Sequence, residues 1–173
     1  MSDAKKKHAS HAPAPPVSAP PKAGVIPWPP VIYVAGIAIS LILHALYPLP
    51  WFGSPMSDIL VAVGWLALLA VVALIATALR TMTKAKTPLN PNAMPEHLVT
   101  NGPFAVTRNP MYLANTLLLI GVGLVSGITW FLPIALIAAF ATKKVAIEKE
   151  ERWLTDKFGK RYRDYAKRVR RWI

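Results

Sequence analysis

Residues 108–151 read RNPMYLANTLLLIGVGLVSGITWFLPIALIAAFATKKVAIEKEE, and how this stretch folds decides the rest. No Lys or Arg lies between Met111 and Thr142, and the run is interrupted only at Ser126-Gly127. Its two arms, MYLANTLLLIGVGLVSG and ITWFLPIALIAAFAT, are 17 and 15 residues long. As α-helix each spans ~24 Å, against a hydrocarbon core of ~30 Å. Backbone groups inside a bilayer cannot bond to water, so such arms must be helical. The pattern predicts a tight helical hairpin whose second arm continues beyond the membrane edge. Lys143 and Lys144 sit where long side chains can snorkel toward head groups.

Upstream lie two further apolar runs. One extends from about Val31 to Leu49, introduced by Pro29-Pro30 and closed by Pro48 and Pro50. Its one ionisable side chain is His44, read as a neutral imidazole bonded to a neighbouring helix. The other extends from about Asp58 to Leu79, with Ser57 or Asp58 placed to cap its start. The fold expected is all-α and integral to a membrane. It has about four transmembrane helices, the last two a hairpin, and a cytoplasmic amphipathic C-terminal helix.

The composition agrees. The chain of 173 residues carries 20 Lys plus Arg against 8 Asp plus Glu, a formal charge of +12, yet 54% of it is hydrophobic. Such charge on so apolar a chain must be sorted by position, and it is: Val31–Leu79 and Met111–Thr142 hold no Lys or Arg. Both terminal segments and the loop from Arg80 to Arg108 are basic, whereas the turns at 49–57 and 126–129 are not. The positive-inside rule then places both termini and the central loop in the cytoplasm of a multi-pass protein. The bases follow this topology rather than a groove-sized patch, so nucleic acid is not an expected partner. With no cysteine there is no disulfide framework, thiolate nucleophile or cysteine-ligated metal, and no metal site is expected.

Residues 1–30 hold 8 of the 17 prolines and are read as a disordered, Pro-rich cytoplasmic tail in which His8 and His11 are incidental. Residues 31–173 form the membrane domain. Pro88, Pro91 and Pro95 prevent a continuous helix in the central loop, and Asn101-Gly102-Pro103 signals a turn. A loop of this length between two spans is uncommon unless functional or disordered. At the C-terminus Phe158, Tyr162, Tyr165, Val169 and Trp172 recur at helical spacing among basic residues, which predicts an amphipathic helix on membrane lipids. Glu148, Glu150 and Glu151 place acid where a purely lipid-binding helix would carry base.

Several of these residues fall in a familiar order. Leu98-Val99-Thr100-x-Gly102-x-Phe104 is followed by Arg108-Asn109-Pro110-Met111-Tyr112 and the hydrophobic hairpin. Then come Glu150-Glu151-x-x-Leu154-x-x-x-Phe158-Gly159-x-x-Tyr162-x-x-Tyr165. Over roughly residues 86–172 this resembles the isoprenylcysteine carboxyl methyltransferase family, whose relatives include the phosphatidylethanolamine N-methyltransferases. The resemblance implies a membrane-embedded methyltransferase using S-adenosyl-L-methionine, with a lipid-like or amphipathic acceptor bearing a carboxylate, amine or thiol. By position it implies cofactor contacts from Glu96, His97, Leu98, Val99, Gly102, Phe104, Asn109, Pro110, Met111, Tyr112, Glu150 and Glu151. Arg108, Asn109 and Tyr112 are its candidate catalytic residues. Glu150 can accept from a ribose diol or an ammonium, Arg108 can pair with the cofactor's carboxylate, and the Phe104 and Tyr112 rings can meet adenine or the sulfonium.

The chain departs from the family pattern at two places. Asn109 stands where many members carry His, so a hydrogen-bond donor is kept but not a base. Ala146, four residues before Glu150, stands where carboxyl-methylating relatives present an Arg. Both weigh against methyl esterification of a prenylated cysteine and leave methyl transfer itself untouched. No G-x-G-x-x-G motif supports a Rossmann cofactor domain. Two alternatives differ in class. A membrane reductase would bind a nicotinamide cofactor in a related pocket, although Glu150-Glu151 would repel its phosphates. A non-catalytic membrane subunit would use the basic tails for docking.

Overall fold

Helix follows from apolar runs free of internal breakers, and every regular element is helical in the computed structural model, which describes residues 29–87 and 97–173. The Pro-rich leader up to residue 28, the Pro88–Pro95 part of the central loop and Glu96 lie outside the described residues. No strand occurs among the described residues. Helix α1 spans Pro29–Leu46 and α2 spans Met56–Lys84. A 3-10 turn at Gly102–Ala105 precedes α3, Pro110–Ser126, and α4 covers Phe131–Thr142. A π turn at Lys143–Ile147 leads into α5, Glu148–Phe158, and α6 follows at Lys160–Arg168.

Of these, α1 and α2 are long and apolar enough to cross a membrane by length and composition, and α3 is a shorter apolar helix. Helix α2 exceeds the expected span by about a turn at its C-terminal end, because Arg80–Lys84 contains no breaker. Asp58 lies in its first turn, but no side chain caps it: Asp58 accepts instead from the Ser54 hydroxyl at 2.8 Å and the Ser57 hydroxyl at 3.3 Å. Helix α3 begins with Pro110 in its first turn, where a missing N–H costs nothing, and stops at Gly127, whose φ of 69° is the left-handed conformation that terminates helices.

Small residues set the packing. Gly64 of α2 faces Gly121 of α3 so closely that a Cβ on Gly64 would lie 3.0 Å from the Gly121 carbonyl oxygen. The core between α1, α3 and α4 is Tyr33, Leu119, Phe131, Ala135 and Ala138. On α1 the Tyr33 hydroxyl meets Thr116 Oγ1 at 3.0 Å and donates to the Tyr112 carbonyl at 3.4 Å, tying α1 to α3. The Nδ1 of His44, expected to bond to a neighbouring helix, is buried without a hydrogen-bond partner among the described residues.

The hairpin's second arm does continue. Backbone dihedrals remain helical from Phe131 through the π turn to Phe158, a rod of ~42 Å at the usual rise. The C-terminal amphipathic segment is helical as α6 but shorter than the aromatic stripe. Gly159, with φ of 52°, separates α6 from α5, and the backbone is extended at Val169, so Val169 and Trp172 leave the helical stripe. Tyr162 and Tyr165 are buried against protein: Tyr165 donates to the Phe104 carbonyl at 2.6 Å and Tyr162 accepts from Arg108.

Candidate functional site

Two segments distant in sequence converge where the apolar helices give way to charge. From α3 comes its first turn, with Arg108 and Asn109 just before it and Tyr112 inside it. From the rod comes α5, carrying Glu148, Glu150 and Glu151 in its first turn. The contact is made by Tyr112, Ala146 and Ile147, which bury one another, with Val145, Trp153 and Trp172 at the margin. Fully buried Ala146 is small enough for the rod to approach α3. The π turn supplies the register. An inserted residue rotates everything after it by about 100°, and this sets which sides Glu150 and Glu151 occupy.

The adjacent glutamates have different partners. Glu150 turns toward α3 and accepts a hydrogen bond from the Tyr112 hydroxyl. Burial pushes the Glu150 carboxyl up to about 7; the Tyr112 bond opposes this and the neighbouring Glu151 charge adds to it. Glu151 turns the other way, with Arg108 Nη1 3.2 Å from its Oε1. Arg171 donates to both its oxygens, from Nε at 2.9 Å and from Nη2 at 2.5 Å. Arg108 Nη1 also donates to the Tyr162 hydroxyl at 3.3 Å, while Arg108 Nε is buried with no partner among the described residues. Beside this triad an open cleft of about 600 Å³ is lined by Arg108, Glu151, Arg152, Tyr162 and Lys167 among others. Glu150 and Tyr112 do not line it.

Among the residues expected at the site, Arg108, Asn109, Pro110, Tyr112, Glu150 and Glu151 are brought together here. Asn109 is buried, and its Nδ2 donates to the Arg171 carbonyl at 2.9 Å. Met111 is half-buried on the first turn of α3. Gly102 opens the 3-10 turn with φ of 59°, and a Cβ there would lie 2.7 Å from Thr81 Oγ1. Phe104 is half-buried and enters through its carbonyl, held by Tyr165. His97 is exposed and Leu98 and Val99 are half-buried in the segment before the turn, and no hydrogen bond links their side chains to Glu150 or Tyr112 among the described residues. Glu96 lies outside the described residues. Sequence reasoning singled out neither Thr107 nor Arg171. One base in the run Arg168–Arg171 carries no signal of its own, and only its proximity to Glu151 distinguishes it.

The family model described as phospholipid methyltransferase matches residues 59–161, more than half of the chain. The chain belongs to the phospholipid methyltransferase family. The match begins inside α2 and ends at Arg161, so this methyltransferase-family core includes the second apolar helix, which the likeness over 86–172 did not. Helix α1, most of α6 and the residues after it lie outside it. No curated protein matches the sequence. The phospholipid methyltransferase match spans both the start of α3 and α5, and nothing favours the nicotinamide reductase or the non-catalytic subunit.

Proposed function

We propose that this family member is a multi-pass membrane methyltransferase that moves a methyl group from S-adenosyl-L-methionine to a lipidic or amphipathic acceptor bearing a carboxylate, amine or thiol. One observation carries the reading: Arg108, Asn109 and Tyr112 at the start of α3 are gathered against Glu150 and Glu151 of α5, where the apolar helices end. In this reading residues 31–173 are the catalytic domain and residues 1–30 a cytoplasmic tail. In it, helices α1 to α4 cross the membrane with both termini and the site on the cytoplasmic side, a reading that the distribution of Lys and Arg supports.

Packing supports membrane insertion. The buried residues of α1 and α2 include Gly36, Ser40, Gly64 and Ala78, while Val34, Ile42, Trp65, Leu66, Leu69 and Val72 face outward. Water would penalise so large an apolar surface, and lipid would not.

The residues present suit the cofactor. Its amino-acid end carries a carboxylate and an ammonium. Among the described residues, Arg108 offers a buried Nε–H with no acceptor, and Glu150 a half-buried carboxylate held by one tyrosine hydroxyl. Arg108, Glu150, Tyr112 and Met111 would hold it, with Pro110, Phe104, Gly102 and the segment His97–Val99 shaping the surround, and Asn109 and Glu151 fixing the neighbouring chain. When bound, the cofactor supplies an electrophilic methyl on a sulfonium. The protein's part is to align the acceptor, orient the charges and keep water out. Ionised Glu150 favours a cation beside it, and Tyr112 keeps that carboxylate turned toward α3.

Titration calorimetry of the detergent-solubilised protein with S-adenosylhomocysteine tests the reading, with Glu150→Ala as control. Saturable binding lost in the variant is expected, and no binding to folded wild-type protein would sink it. Incubation with labelled S-adenosylmethionine and total membrane lipid then identifies the acceptor by what carries the label.

A further inference from the structure

The residues after α6 double back onto the site. Arg170 presents its carbonyl to the Arg108 amide at 3.0 Å. The next carbonyl, of Arg171, accepts from Thr107 Oγ1 at 3.2 Å and Asn109 Nδ2 at 2.9 Å. The Arg171 side chain forks onto Glu151, and Trp172 packs on the Tyr112–Ala146–Ile147 cluster. Segments 107–112 and 146–151 are thus held by one short strap, residues 169–173, which lies beyond the family match at 59–161.

We propose that Arg171 is a positioning residue for methyl transfer, with Val169–Ile173 closing one side of the site and Glu151 and Asn109 serving as the strap's anchors. The proposal rests on the methyltransferase reading above and adds to it a division of labour between the two glutamates. Glu151 accepts from Arg171 through both oxygens and meets Arg108 as well, so little of its acceptor capacity remains for an incoming cation. Asn109 has likewise committed its Nδ2 to the strap. Glu150, engaged by Tyr112, is the glutamate left to face a ligand.

Geometry also gives the sign of the effect. A strap that merely plugged the site would compete with the cofactor, and its removal would tighten binding. This strap instead orients Arg108 through the shared Glu151 and shields the Tyr112 cluster with Trp172, so its removal loosens one and wets the other. A lysine at 171 would keep the charge but lose the planar two-pronged grip.

The test compares full-length wild type, Arg171→Lys, Arg171→Gln, Glu151→Gln and a chain ending at Arg168, all in detergent, by calorimetry with S-adenosylhomocysteine. Arg171→Gln and the truncation are expected to weaken binding about tenfold or more, with Arg171→Lys between them and wild type. The double variant of Arg171→Gln with Glu151→Gln should be no weaker than either single change. In methyl transfer, KM for S-adenosylmethionine should rise by more than kcat falls. Tighter binding on truncation identifies a competing plug, and unchanged binding removes the strap from the site; either overturns the proposal. Hydrogen exchange at the Arg108 amide reads the strap without any cofactor. Glu151→Gln and Arg171→Gln should speed it while leaving α1 unchanged, and unaltered exchange overturns the anchoring. Wild-type protein that binds no cofactor analogue refutes the methyltransferase reading and, with it, the positioning role, whereas the exchange result still decides whether the strap is anchored.

Discussion

The Tyr112 hydroxyl donates to the Glu150 carboxylate across 38 residues of chain, joining the first turn of α3 to the first turn of α5. Through this bond the apolar hairpin reaches its charged end. It is also the one hydrogen bond that ties Glu150 to α3 among the described residues.

Tyr112→Phe keeps the ring's packing on Ala146 and Ile147 and removes only that donor. Losing a hydrogen bond to a charged, half-buried acceptor should lower stability by about 1–3 kcal/mol. Thermal unfolding in detergent measures it. The same variant should weaken S-adenosylhomocysteine binding, because the carboxylate is no longer turned toward α3. Unaltered stability and binding together would show that the bond is not maintained in solution.

Glu150 should make stability depend on pH. Burial raises its folded-state carboxyl to about 7, above the ordinary value of 4.5. The folded protein therefore holds a proton that the unfolded chain releases first. This contribution to stability is fully present below the ordinary value and is lost as pH rises through about 7. Glu150→Gln removes the loss, so its stability relative to wild type should improve by roughly 1–3 kcal/mol between about pH 5 and pH 8. A pH-independent offset in melting temperature would contradict this. Analogue binding to wild type should strengthen over the same range, since the ionised carboxylate is the acceptor.

Gly64 and Gly121 face each other but should not tolerate alanine equally. A Cβ on Gly64 would sit 2.9 Å from Leu124 Cβ and 3.0 Å from the Gly121 carbonyl oxygen, neither of which can rotate away. A Cβ on Gly121 meets Leu68 Cδ2 at 2.9 Å, the far end of a flexible side chain, and its one close backbone contact, the Gly64 carbonyl oxygen, is farther at 3.2 Å. Gly64→Ala should therefore cost about 1–3 kcal/mol and Gly121→Ala less. Melting temperatures of the two variants rank them, and the reverse order would refute the close α2–α3 approach.

Tyr33→Phe probes how α1 is attached. The variant loses the contacts of the Tyr33 hydroxyl with Thr116 Oγ1 and the Tyr112 carbonyl, while Thr116 keeps its own bond to that carbonyl at 3.0 Å. A loss of about 0.5–1.5 kcal/mol is expected, with α1 amides exchanging faster than those of α3. Equal exchange in both helices would mean that Tyr33 does not secure α1.

Much of this molecule is legible in local sequence. Helix is imposed wherever a long apolar run lacks a breaker, because buried backbone groups must bond within their own segment. Hence α1 to α4, the turn at Ser126-Gly127 and the passage of the second arm beyond Lys143 all follow from the order of residues. The ordered motifs from Leu98 to Tyr165 likewise carried the family, which the match over residues 59–161 shows.

Other features depend on contacts that no local pattern encodes. The spacing from Phe158 to Trp172 is helical on paper, yet Gly159 takes a positive φ and Val169 an extended backbone, because Tyr162, Tyr165 and Trp172 find partners in protein. The run Lys143–Ile147 contains no glycine or proline to announce a π turn, and its register is set by Ala146 and Ile147 packing on Tyr112. Glu150 and Glu151 are neighbours of the same type in the chain and cannot be told apart there. Helical geometry separates them by about 100°, one toward a tyrosine and the other between two arginines. Sequence by itself determined the helices and the family. The tertiary structure decided which charges meet, because a charge's partner depends on register and distance across elements, which hydrophobic periodicity leaves open.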